Sequence, residues 1–283
     1  MPKRILALLT VVIVAFAAFI AVGCGSDDSG DGGSGKTVQV DMQKTLDATK
    51  AKGSAAFMAK LSIKDDKETI GLGIVGKGDF ENNKWDLKFD AAKLLQSAGV
   101  AGSGEGNVQV LVDGKKIWIN MPALQGMQLP GNAKWISLDL SKLPSQDTPE
   151  KGKAPTFEMT EVGSETVDGV SVRHLKSETT LRKLLDSVPA AQRKQLDSQI
   201  NKNKDANEAL DQKLPFELWL DNDDVLYRLK TGLSVEQDSL AIDIQLSDFG
   251  SEVTITPPPA SETFDGTQML EGFAGQLGTG ATP

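Results

Sequence analysis

The chain has 283 residues, 39 acidic against 30 basic, for a formal net charge of −9, with one cysteine and one histidine. That balance argues against nucleic acid and against electrostatic docking on anionic lipid. One cysteine excludes an internal disulfide, and one histidine excludes a multi-histidine metal centre.

The amino end explains the cysteine. Lys3 and Arg4 precede an uncharged, apolar run from Ile5 to Val22, and small Gly23 stands before Cys24. A basic start, an apolar stretch and a small-residue exit make residues 1–23 an export signal. The alternative is an uncleaved anchor, since the run is nearly long enough to span a bilayer. The segment Ala21-Val22-Gly23-Cys24 resembles the lipobox of bacterial lipoproteins, with Ala21 where leucine is commoner. The resemblance implies a diacylglyceryl group on the Cys24 sulfur, cleavage before it, and an acylated new amino terminus, palmitate being the usual kind of chain. Two or more chains hold a protein on a membrane where one does not. Residues 25–36 are rich in Gly, Ser and Asp, bury almost nothing, and are expected to form a flexible tether.

Period-two alternation dominates the mature chain. "KWDLKFD" sets Trp85, Leu87 and Phe89 on one face and Lys84, Asp86, Lys88 and Asp90 on the other, the pattern of a strand with one buried side. Phe57 to Ile63, Ile70 to Ile74, Val108 to Val112 and Ile117 to Met121 alternate likewise. So do Ile136 to Leu140, Val170 with Val172, Phe216 to Leu220, and Leu240 to Leu246. "VDGKK" (112–116), "VDGV" (167–170) and "DNDD" (221–224) carry the Asp, Asn and Gly of tight hairpins. One large antiparallel sheet with a shared apolar face is therefore expected. Its covers are helices over 38–51 (Met42, Leu46, Thr49), over 90–98 (Leu94, Leu95, Ala98), and from Leu181 on. The last carries Leu184, Leu185 and Val188, breaks at Pro189, and resumes with Leu196 and Ile200. The fold class is α+β.

Motifs for chemistry are few. "GLGIVG" (71–76) fits the letters of a dinucleotide fingerprint, but that fingerprint works only where a strand turns into a helix. Here the strand runs on through "KGDF". Gly71 and Gly73 are expected to permit curvature or a neighbour's close approach. His174 reads as a packed or surface histidine, and "DNDD" lacks the glycine and glutamate of a calcium loop. No G-x-S-x-G elbow is present, and the chain is expected not to be an enzyme, with no catalytic residue, metal or cofactor. Trp118, Trp135 and Trp219 fall in the polar phase of their strands. Cross-strand packing is the expected reason, with a partner-docking patch as the alternative.

The stretches "KWISLDLSKL" (134–143), "VDGVSVRHL" (167–175), "LPFELWLDNDDVLYRLK" (214–230) and "IDIQLSDFGSEVTITPPPAS" (242–261) resemble the LolA-like lipoproteins of actinobacteria. Val225 departs from the glycine frequent in such a hairpin, and residues 192–212 are long and charged. The resemblance implies a half-barrel over residues 37–265, a strongly curved antiparallel sheet wrapped around a few helices. It further implies an apolar cavity for acyl chains of envelope lipids, which the chain carries or presents. The implied lining is Leu61, Leu72, Ile74, Leu87, Phe89, Val110, Ile119, Leu138, Leu218 and Ile244. "SAGVAGSGEG" (97–106) is either an entrance loop or a connector, and residues 266–283 a flexible tail. The implied partners are an envelope lipid or glycolipid, a lipid exporter, and the extracytoplasmic face of the cytoplasmic membrane through Cys24, with the protein monomeric. The alternative is a non-catalytic envelope scaffold or regulatory lipoprotein whose core is fully packed.

Overall fold

The alternating stretches pair as strands in a computed structural model that describes residues 35–64, 69–97, 106–122, 129–142, 155–186, 210–235 and 238–267, with residues 193 and 197. The elements are β1 (Thr37–Asp41), α1 (Met42–Ala51), β2 (Ser54–Lys64), β3 (Thr69–Asp79), β4 (Lys84–Asp90), α2 (Ala92–Ser97), β5 (Asn107–Asp113), β6 (Lys116–Asn120) and β7 (Trp135–Asp139). They continue with β8 (Thr156–Val167), β9 (Val170–Thr180), α3 (Leu181–Asp186), β10 (Lys213–Leu220), β11 (Leu226–Val235), β12 (Asp238–Ser247) and β13 (Thr263–Asp265). All thirteen strands hydrogen-bond in one unclosed sheet, ordered β1-β8-β9-β10-β11-β12-β2-β3-β4-β5-β6-β7-β13. The pair β7–β13 is parallel; every other pair whose register is described is antiparallel. The sheet-dominated α+β class expected from the sequence is thus present. The described residues form two compact units.

The first unit holds β1, α1, most of β2, β8 to β12 and α3. The helix expected over 38–51 begins only at Met42. Val38 and Val40 alternate and pair with Met159 and Phe157, and Asp41 then caps the helix, accepting from Gln43 N at 2.8 Å and Lys44 N at 3.3 Å. Two residues expected in the tether are already part of this unit, since Gly35 N donates to Glu161 O and Glu161 N to Lys36 O. Strands β1, β8, β11 and β13 escaped the period-two reading. In β11 the inward residues run Leu226, Leu229, Leu233, because a register shift between Trp219 and Leu220 sets Leu226 opposite Leu220 and Leu229 opposite Leu218; an extra residue breaks period two. In β8 a similar shift falls between Glu161 and Gly163, and Glu161 occupies an inward position beside Leu175.

The core of this unit centres on Leu175 and Leu218, both 0% exposed, with Met42, Met159, Leu220 and Leu229 around them. Helix α1 is fastened across it by Thr49, whose hydroxyl donates to Thr45 O at 2.7 Å and accepts from Leu226 N at 3.0 Å. The expected hairpins form at 167–170, where Asp168 (φ 51°) and Gly169 (φ 81°) are left-handed, and at 221–225. There the buried Asp221 accepts from Asp223 N and Val225 N, each at 2.9 Å.

The second unit holds most of β3, then β4 to β7, α2 and β13. Stretch 71–76 lies inside β3 with no helix after it, and a Cβ on Gly71 or Gly73 would meet nothing within 4 Å. The close approach expected there is found at Gly78 instead, where a Cβ would overlap the Trp85 ring. Leu140, expected in phase with Ile136 and Leu138, leaves the strand for a 3-10 turn and is exposed. Gly266, expected at the start of the tail, donates to Ser137 O at 2.9 Å. Thr267 beside it is buried and accepts from Asp139 N at 3.0 Å. Residues 1–23, Cys24, Leu196 and Ile200 of the expected third helix, and the stretches 98–105 and 268–283, lie outside the described residues.

Candidate functional site

Strand register gathers most of the expected lining residues on one face of the second unit. Leu87, Val110, Ile119 and Ile136 stand opposite one another in a row across β4 to β7. One step toward the hairpin turns, Trp85, Val112, Ile117 and Leu138 form a parallel row. One step the other way, Ile74, Phe89 and Val108 form a third. Phe264 of β13, opposite Ile136, extends the face. Leu72, Ile74, Leu87, Phe89, Val110, Ile119 and Leu138 therefore share this surface, and each is only half-buried. The remaining three belong to the first unit. Leu218 is wholly buried in its packed core, opposite Leu229, while Ile244, opposite Leu229 on its other side, and Leu61 are half-buried.

The same apolar phase therefore has two fates. Leu175, Leu218 and Leu220 are each 0% exposed in the first unit, whereas in the second unit, of the three rows across β3 to β7, only Val108 is fully buried. Burial is worth about 25 cal/mol per Å² of apolar surface, so a wide face left half-buried retains free energy that an apolar occupant would release.

The hairpin end of this face is stiffly built. Trp85 lies over Gly78, its Nε1 donates to Asn83 Oδ1 at 3.0 Å, and the Phe80 ring tilts against it at 5.7 Å between centroids. Asn83, left-handed at φ 51°, donates through Nδ2 to Gly114 O at 2.7 Å and so ties the β3–β4 turn to the β5–β6 turn. Hydrogen bonds from Asn82 N and Nδ2, then from Glu81 N, hold the Asp79 carboxyl below the usual carboxylate range. Trp85 was legible in the sequence as part of the buried phase; its ring contact with Gly78 needed the pairing of β3 with β4.

The polar face of the first unit is an ion-pair lattice. Trp219 is buried, stacks on His174 with centroids 4.1 Å apart, and has Arg228 and Lys230 over its ring at 5.0 and 5.4 Å. His174 Nε2 lies 2.7 Å from Glu217 and Nδ1 3.2 Å from Glu165. Burial pushes the Glu217 carboxyl up, but hydrogen bonds from His174 and Lys176 outweigh it and the net shift is downward. The two-pronged bond from Arg228, at 2.9 and 2.7 Å, holds Asp243 below its ordinary range. Two open grooves of about 540 and 430 Å³ flank Glu217 on this face. Trp118 is also buried, opposite Leu111, and Trp135 is half-buried opposite Asn120. Trp118 and Trp219 are thus the cross-strand packing residues expected, and neither offers an exposed patch. Among the described residues no group of His, Cys, Asp and Glu is placed to hold a metal ion.

Solved structures similar to this chain include the following three. Lipoprotein LppX of Mycobacterium tuberculosis is 15% identical, aligned over 76% of this chain and 96% of that one with a TM-score of 0.38. LprF of Mycobacterium bovis is 14% identical over 77% and 96%, with a TM-score of 0.37. A putative outer membrane lipoprotein-sorting protein domain from Vibrio parahaemolyticus is 11% identical over 70% and 84%, with a TM-score of 0.22. No family model and no curated protein matches the sequence.

Proposed function

We propose that this chain is a membrane-anchored lipoprotein that takes acyl chains of an envelope lipid onto the apolar face of β3 to β7 and carries or presents them. The observation that carries the reading is that face, three rows of apolar side chains in register and largely half-buried. An acyl chain passing from a membrane to such a face exchanges one apolar environment for another, so little apolar surface meets water in transit. Cys24 supplies the attachment, through the lipid group its lipobox-like setting implies. The chain would then act at the extracytoplasmic face of the cytoplasmic membrane, receiving lipid from an exporter and handing it on. No step requires a catalytic group.

The second reading, a non-catalytic scaffold, draws on the packed core around Leu175 and Leu218. Mass spectrometry of lipid extracted from protein expressed from Gly25 onward in an actinobacterium separates the two. Stoichiometric co-purifying lipid is the expected result and identifies the cargo class. A protein that is empty and takes up no added acyl lipid would leave the scaffold standing.

A further inference from the structure

We propose that Trp85 is an end stop that sets how long an acyl chain the apolar face accepts; this rests on the acyl-chain reading above. Along β3 the face carries Leu72 and Ile74 and then loses its side chains at Gly76 and Gly78, which stand opposite Leu87 and Trp85. At Gly76 the β3 side of the β3–β4 seam carries no side chain beside Leu87. At Gly78 the seam is closed instead, because the Trp85 ring lies across it, where even a Cβ would collide with the indole.

The ring is held in place from behind. Asn83 Oδ1 accepts from Nε1 at 3.0 Å, Phe80 leans on the ring with an interplanar angle of 60°, and Asn83 is itself bonded to Gly114 O in the neighbouring turn. A bulky ring with its polar atom satisfied and two hairpin turns behind it makes a wall that a ligand cannot easily move aside. From the Phe89–Val108 pair to the Trp85–Val112 pair is four residues of strand, about 14 Å. A chain lying along the seam gains contact over that length and then meets the indole.

Affinity should therefore rise about fourfold for each added methylene that finds cover, and level off once the chain tip reaches Trp85. The test is native mass spectrometry of the full chain against saturated fatty acids of increasing length, with circular dichroism as the check on folding. Trp85→Leu uncovers Gly78 at the end of the seam and is expected to move the plateau to longer chains. Val112→Phe, in the row of Trp85, fills the same end from the next strand and is expected to move it to shorter ones, so either variant tests the idea if the other fails to fold. A plateau at the same length in the folded variants, or none in the wild type, overturns the end stop while leaving the acyl-chain reading intact. A wild type that binds no fatty acid overturns both.

Discussion

Truncating one leucine on each of the two faces should separate stability from ligand binding. Leu218 is 0% exposed inside a packed cluster, so Leu218→Ala deletes three carbon groups at about 0.8 kcal/mol each and leaves a cavity. The expected loss is about 3 to 4 kcal/mol of stability, with the acyl-binding face untouched. Leu87 is only partly buried in the central row of the second unit, where truncation forfeits most of the transfer energy but leaves no closed cavity. Leu87→Ala should cost about 1.5 to 2 kcal/mol in the lipid-free protein. With an acyl chain in place Leu87 completes its burial, so the same change should weaken lipid binding by about 0.5 kcal/mol, roughly twofold. Urea unfolding followed by circular dichroism reads the first quantity and a fatty-acid titration the second. If Leu87→Ala cost as much stability as Leu218→Ala in lipid-free protein, the face would be packed core rather than a surface for acyl chains.

Two predictions concern the first unit. The Asp243 carboxyl is held below its ordinary range in the folded protein, chiefly by the hydrogen bonds from Arg228. Its contribution is therefore complete above about pH 4 and is lost as pH falls through the lower folded value. Asp243→Asn should cost about 1 to 2 kcal/mol at neutral pH and flatten part of the acid limb of a stability-against-pH curve; an unchanged limb would show that the pair contributes nothing. Thr49→Val keeps the shape of the side chain but leaves the buried Leu226 N–H without its acceptor, at an expected cost of about 1 to 3 kcal/mol. Thermal unfolding reads it, and a variant as stable as the parent would mean that the bond does not fasten α1 to β11.

Much of the sheet is legible before any coordinates, because a side chain on a strand faces core or solvent by parity alone. Lys84–Asp90 forms as "KWDLKFD" reads, and the turns at 114, 168–169 and 221–224 fall where Gly, Asp and Asn announce them. Parity fails where the backbone adds a residue, as at β11, or where a polar group sits inward, as Glu161 does in β8. It also cannot separate β1 from the helix that follows, since Val38, Val40 and Met42 suit either element until Asp41 is seen to cap.

The candidate site divides along the same line. Which residues are apolar, that they share a phase, and that Cys24 follows a small-residue exit are local properties of the chain, determined by sequence alone. Whether an apolar phase becomes sealed core or a half-open face depends on what packs over it. Identical alternation ends at 0% exposure for Leu218 and half-burial for Leu87. Only the register of distant strands could decide that, and with it the meeting of Trp85 with Gly78, because pairing distance in a sheet is independent of distance along the chain.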